Sequence, residues 1–345
     1  MNVLLAQFEF SLLSKFRSEL MGLSILGIML AHIYIWTGLQ VPLLGTVIGL
    51  FSRSSHTEGF LFLSGLGLYY SMSNKITSLQ SGFKNKTFIY KSFYKRRFYR
   101  LLVPFIIITF PFYAYDDLIS TFNLGKYLLE QSSLYFWFCG NNGMWYISVS
   151  ILLYALFPLI FDFIDNNWRR CLILIVILIF LIALIRFCFP EYYEMTMIGI
   201  PKAPVFIIGC YAGYLAKNNI SISLLKYLLF LLLLIIAFAW AKQKDFLLFA
   251  TAYESTIRLV SIPFCCLAFV IMANKKILNF IFITFRWLGK YSLELYILHM
   301  LLYNCIFSIS DELSLPFCGL ILFAISILIC KPVHDAVNII VKKLE

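Results

Sequence analysis

The sequence predicts an all-α polytopic membrane protein of about ten transmembrane helices with both termini cytoplasmic, and three observations carry that prediction. Of 345 residues, 61% are hydrophobic and only 13% charged, and the mean hydropathy is +0.88. Runs such as 171–185 and 227–241 contain no charged residue, and stretches of about twenty apolar residues cross a bilayer core. Their apolar pattern is continuous rather than alternating, which selects helices over a barrel. The third observation is where the charge lies. The net +11 by itself fits a nucleic-acid binder, but its partition does not. With spans near 20–40, 58–74, 101–117, 134–161, 171–189, 202–216, 225–241, 255–273, 288–309 and 316–333, one side holds 21 of the 28 Lys and Arg and 7 of the 17 Asp and Glu. That leaves +14 on the inside against −3 on the outside, which sets the orientation by the positive-inside rule. The chain reads as one membrane domain over residues 1–345, with no separate soluble domain, no internal repeat and no cleavable signal peptide.

The first span holds the most informative residue, His32, at the end of Gly22-Leu23-Ser24-Ile25-Leu26-Gly27-Ile28-Met29-Leu30-Ala31-His32. An ionisable side chain at membrane depth is expensive and marks a pathway, a pocket or a reaction centre. A histidine bonded to a neighbouring helix is the plainer reading. Glu19 lies thirteen residues earlier, roughly 20 Å lower and on another face, so it is excluded as the partner of His32. The second span opens on Thr57-Glu58-Gly59, and Glu58 is the better-placed carboxylate for orienting the imidazole. Ser64, in Leu63-Ser64-Gly65, sits where close helix packing explains it as well as a pocket does, and no GxSxG elbow surrounds it.

A basic loop, 74–100, joins the second and third spans. It carries Lys75, Lys84, Lys86, Lys91, Lys95, Arg96, Arg97 and Arg100 without one acidic residue. Arg96 and Arg100 are an i,i+4 pair that a helix would stack on one face. Topology and anionic headgroups account for part of such a loop. Clustered guanidinium forks also suit phosphate oxygens. The opposite side gathers Asp116, Asp117, Glu191, Glu194, Asp311 and Glu312 among Tyr and Trp, an interfacial aromatic belt.

Farther along, Ser292, Tyr296, His299 and Tyr303 follow a 4-3-4 spacing and form one polar stripe on the ninth span. His299, like His32, lies eleven or twelve residues from the inner start of its span, roughly 17 Å deep at 1.5 Å per residue. Two spans can therefore present imidazoles at one level. Glu294 is placed to pair with Lys290 at i,i+4. His56 and His334 read as loop or end residues. The nine cysteines show neither CxxC nor zinc spacing and read as packing residues, so no metal is expected.

Together these segments resemble the acyltransferase-3 family of integral membrane proteins, and most closely members that O-acetylate exopolysaccharides and other surface glycans. The resemblance rests on Arg17-Ser18-Glu19-Leu20-Met21-Gly22 leading to His32, on Gly59 to Ser71, on Phe93-Tyr94-Lys95-Arg96-Arg97-Phe98-Tyr99-Arg100 ending at Pro104, on Gly143-Met144-Trp145-Tyr146-Ile147 with Tyr154 and Pro158, and on Leu288 to His299. It implies an acyl-CoA donor, usually acetyl-CoA, and a polysaccharide or lipid-linked glycan acceptor, in a multi-pass bacterial cytoplasmic (inner) membrane protein. It maps the family's histidine onto His32, its second-span acid onto Glu58 and its loop arginines onto Arg96, Arg97 and Arg100. Many members carry arginine where this chain has Met21. Arg17 is the nearest substitute, about 22 Å from His32 but within roughly 60° of its face.

The expected chemistry follows. Lys95, Arg96, Arg97, Arg100 and Arg17 hold CoA, His32 acts as general base or is itself acylated, and Glu58 orients it. His299, Tyr296, Trp145 and Ser64 line the pocket, with Tyr or His donating to the oxyanion. The rival reading is a polyprenyl-glycan transporter or flippase without covalent chemistry, which would use intramembrane His and Glu as proton or substrate sites. No inverted symmetry of the transporter kind is visible in the sequence.

Overall fold

The computed structural model describes residues 7–37, 57–79, 86–141, 143–164, 167–226, 262–270, 279–307 and 314–344, with a few single residues between. It is almost wholly helical. Helices α1 (Ser11–Lys15) and α2 (Arg17–Thr37) lead into α3 (Thr57–Leu79). Helix α4 (Lys86–Arg97) runs through a π-helical turn, Phe98–Leu102, into α5 (Val103–Tyr113) and a second π turn, Ala114–Ser120. The short α6 (Leu124–Gln131) and α7 (Tyr135–Cys139) precede α8 (Trp145–Ile164) and α9 (Trp168–Cys188). Then come α10 (Pro190–Thr196), α11 (Ala203–Lys217), α12 (Asn279–Lys290), α13 (Ser292–Phe307) and α14 (Leu315–Leu344). A small antiparallel ladder pairs Gln7–Glu9 with Ser221–Ser223 beneath α1 and α11.

Among the described residues, five helices are long and apolar enough to cross a membrane: α2, the continuous Lys86–Ser120, α8, α9 and α14. The pair α10 and Ile200–Lys217, bent by 70°, makes a sixth if it is one span. Helix α9 shows its side chains to the outside, with Phe180 66% and Phe187 87% exposed. In a bilayer such a surface faces acyl chains rather than water. The expected spans 225–241 and 255–273 lie largely outside the described residues.

Three sequence expectations change. The expected span 134–161 is two helices, because Gly140 and Gly143 take positive φ (92° and 85°) and the Asn141 side chain accepts from the Gly143 N–H. Only glycine enters that region at little cost. The stretch 74–100 is mostly helix, continuing α3 and then forming α4. The turn after Arg97 widens to a π turn just ahead of Pro104, whose missing N–H and ring an α-helical ladder does not accommodate.

Two helix pairs organise the core, and both run parallel. In the first, α2 packs on α12 and α13. A Cβ at Gly22 would run into the Phe285 carbonyl, and one at Gly289 into the Ser18 carbonyl. Backbones this close need glycine on both sides. In the second, α3 packs on α11 through Gly65, Gly209 and Gly213 in the same manner.

Candidate functional site

The first pair has a constant register. Glu19 accepts from Arg286 Nε at 2.7 Å, and His32 meets His299 at 3.0 Å, each separated by 267 residues in the chain. Gly22 and Gly289 touch at the same offset between them. The glycine contact therefore sets the register that brings the two imidazoles level, as their equal depths in the sequence imply. Glu19, buried at 1%, belongs to Arg286.

At the histidines, the bond joins His32 Nδ1 to His299 Nε2, with ring planes 21° apart. His299 Nδ1 lies 2.8 Å from the Leu295 carbonyl oxygen. The His32 ring also stacks on Trp36, one helical turn on, at 4.9 Å and 27°. Trp36 in turn packs on Tyr303 at 4.0 Å. His299 is buried, whereas His32 is partly open.

Glu58 does not reach this pair. It is buried at the start of α3, accepts from the Thr57 hydroxyl at 3.1 Å, and forms an ion pair with Lys202 at 3.4 Å. Lys202 also donates to Thr57 at 3.2 Å and lies 4.7 Å over the Trp145 ring. His299, not Glu58, is the group that holds His32. Trp145 accordingly packs under Lys202 rather than against the histidines.

Two cation-rich cavities open from the Arg17 end. One, of about 280 Å³, is lined by Arg17, Arg97, Arg100 and Lys290 at its polar side and by Met21, Ser64, Tyr146, Tyr154 and Tyr296 deeper in. The other, of about 250 Å³, is lined by Lys75, Arg96, Arg97 and Arg100 with Phe93. Arg97 and Arg100 face both, and among the described residues no carboxylate lines either. Arg97 is sandwiched between the rings of Phe93 (5.6 Å) and Tyr154 (5.7 Å). Its Nε is buried without a hydrogen-bond partner among the described residues. A desolvated guanidinium N–H left open is costly unless an acceptor arrives. Arg17 donates from Nε to the Leu63 carbonyl at 3.0 Å and reaches the first cavity together with Met21, one turn on. Lys95 is exposed, lies over Tyr99 at 5.8 Å and lines neither cavity.

The first cavity ends at Tyr296, whose ring is 5.7 Å from that of His299. One aromatic ring thus separates the cationic cavity from the imidazole pair. Tyr296 donates its hydroxyl proton to the Gly143 carbonyl at 2.8 Å, so it is not poised for an oxyanion. Ser64 accepts from Tyr154 at 3.2 Å at the cavity wall. Glu294 bonds His334 at 2.7 Å rather than Lys290. Sequence reasoning gave no pocket role to Lys290, Tyr146 or Tyr154, although the last two lie in the motif that carries the family resemblance, and it read His334 only as an end residue.

A third, larger cavity of about 780 Å³ lies beyond Met144 and Met300, lined also by Tyr113, Tyr115, Asp116, Lys126, Glu130 and Cys305. Lys126 bonds the fully buried Asp117 at 2.7 Å, and that hydrogen bond holds the ammonium above its ordinary pKa. Along α13, Ser292 and Tyr296 line the inner cavity, Met300 and Cys305 the outer one, and His299 sits between them in sequence.

The acyltransferase-3 family model, described as an acyltransferase domain, matches residues 20–332. No curated protein and no solved structure matches the chain.

Proposed function

The chain belongs to the acyltransferase-3 family and is a membrane acyltransferase, and from that premise we propose that it transfers an acetyl group from acetyl-CoA to a hydroxyl of a surface polysaccharide or its lipid-linked precursor. The observation that carries this reading is the carboxylate-free cationic cavity that ends one ring short of a bonded histidine pair. CoA phosphates are polyanionic, and paired guanidinium forks with an open buried N–H are what such an anion requires. Arg97 and Arg100, shared by both inner cavities, take the phosphates, with Arg17 and Lys290 flanking. The thioester end of the pantetheine arm then lies toward Tyr296 and the histidines.

His32 serves as general base. The acceptor oxygen attacks the thioester carbonyl as its proton passes to the imidazole, the C–S bond breaks, and the thiolate recovers that proton as CoA–SH. The outer cavity is the approach for the acceptor. Its mixed carboxylate, ammonium and phenol lining suits a polyhydroxylated molecule better than an acyl chain. The two parallel pairs, α2 with α13 and α3 with α11, have the directions that ten alternating spans with cytoplasmic termini give to spans one, nine, two and six. That agreement supports an orientation with the cationic cavities toward the cytoplasm, the side of a bacterial inner membrane from which acyl-CoA would be drawn.

Changing His32 to Ala is expected to lower acetyl-CoA-dependent transfer in membrane vesicles by about 10²–10⁴-fold, and to remove O-acetyl signals from the NMR spectrum of the surface polysaccharide, at equal protein level. Undiminished O-acetylation in that variant overturns the reading.

A further inference from the structure

We infer that His299 is a positioning residue that fixes His32 as the Nδ1–H tautomer and so makes Nε2 of His32 the atom that takes the proton. The inference rests on the acyltransferase reading for the identity of the reaction, but its geometry stands by itself. A backbone carbonyl can only accept a hydrogen bond, so the 2.8 Å contact between His299 Nδ1 and the Leu295 oxygen requires a proton on that nitrogen. With one proton per ring, His299 Nε2 is then a lone-pair acceptor. Its 3.0 Å contact with His32 Nδ1 requires the proton to sit on His32. The remaining nitrogen of His32, Nε2, carries a lone pair and has no hydrogen-bond partner among the described residues. The His32 ring is partly open whereas His299 is buried, so His32 is the imidazole that a substrate can meet.

The surroundings hold this arrangement in place. Leu295 and His299 are one turn apart on α13, so the first link is built into a single helix. The second link is set by the Gly22 and Gly289 contact, which fixes the offset between the helices. Trp36 stacks on the His32 ring from the next turn of α2 and opposes its rotation about χ2. A carboxylate does the orienting job in many histidine sites. Here a neutral imidazole anchored on a carbonyl does it. It leaves no fixed negative charge beside His32, so less charge must be desolvated in the span.

The test is nitrogen NMR on the full-length chain in lipid nanodiscs with ¹⁵N-labelled histidine, with the His32 signals assigned by their loss in His32→Ala. The unmodified chain is expected to show protonated Nδ1 and imine-type Nε2 at His32. In His299→Leu the acceptor is gone, and His32 is expected to revert to the Nε2–H form that neutral histidine prefers in water. There kcat falls by about 10²-fold while the KM for acetyl-CoA is unchanged. In His299→Gln the amide oxygen stands in for Nε2, and both the Nδ1–H signature and most of kcat return. An Nε2–H tautomer at His32 in the unmodified chain overturns the inference, whether or not the variants fold. So does an unaltered tautomer or kcat in His299→Leu. Because the tautomer is read without turnover, a chain that fails to transfer acetyl groups yet shows Nδ1–H at His32 sinks only the proposed reaction.

Discussion

The α2 pair and the α3 pair are built by the same three-tier device and carry different cargo. Each begins with a buried glutamate in the first turn of the earlier helix, Glu19 or Glu58, bonded to a cation from its partner, Arg286 or Lys202. Each cation also lies over an aromatic ring, Phe282 at 4.8 Å or Trp145 at 4.7 Å. Glycines bring the backbones together in the middle of both pairs. Only the last tier differs. In the α2 pair it is His32 with His299, and in the α3 pair it is Lys217 donating to Ser73 and Thr77, each at 2.7 Å. A register lock is therefore a generic way to stack parallel spans, and the proposed reaction uses it only where it locks two imidazoles side by side.

The largest effect is expected at the more enclosed ion pair. Glu58 and Lys202 leave 1% and 11% of their side chains exposed. Lys202→Met removes the cation beside a buried carboxylate, a loss of about 3–5 kcal/mol. Thermal unfolding in detergent is expected to show a lowered midpoint, with the Nδ1–H signature of His32 intact in whatever remains folded. A loss of that signature instead joins the two pairs into one unit and breaks the comparison. Next comes the glycine tier. Gly289→Ala pushes a methyl into the Ser18 carbonyl, which is backbone and cannot swing aside. The resulting shift separates the imidazoles, and turnover per folded molecule is expected to fall by about 10²-fold. Gly209→Ala creates the same clash, with the Phe62 carbonyl, in the other pair. It is expected to cost stability by about 1–3 kcal/mol and leave turnover per folded molecule close to that of the unmodified chain. Equal losses of turnover from both alanines show that register in the α2 pair has no special part.

How much of this was legible in the sequence depends on how far each signal reaches. The two histidines were, because depth in a span is counted from local sequence and 1.5 Å per residue holds in any helix. Tyr296 was, because a 4-3-4 stripe is a one-helix property. The partner of His32 was not. Glu58 carries the right chemistry and opens the neighbouring span, but pairing depends on the offset between helices, which Gly22 and Gly289 set by contact across 267 residues. The basic stretch 74–100 reads as a loop because its charges mask the helical spacing of Ile89, Phe93 and the residues that pack with them. His334 reads as an end residue because its partner, Glu294, is 40 residues away on another helix. Arg96 and Arg100 line one cavity together, and the π turn after Arg97, which no local signal announces, lets Arg97 and Arg100 line the second as well.

The smallest effect is expected at the other ion pair, and it probes what burial alone contributes. Glu19 is as buried as Glu58, with 2% of its side chain exposed, but Arg286 keeps 60% of its own in the open. Water can therefore approach the guanidinium side of the bond, and part of what Arg286 gives the carboxylate is replaceable. Arg286→Met keeps an apolar stem over Phe282 and removes only the charge. The expected loss is about 1 kcal/mol, near the range of exposed pairs, and it shrinks as salt rises because an open pair is screened. Lys202→Met, by the same measurement, is expected to be insensitive to salt. A midpoint drop for Arg286→Met as large as that for Lys202→Met, and equally indifferent to salt, makes the two clamps equivalent. The difference between the pairs then lies in their last tier alone.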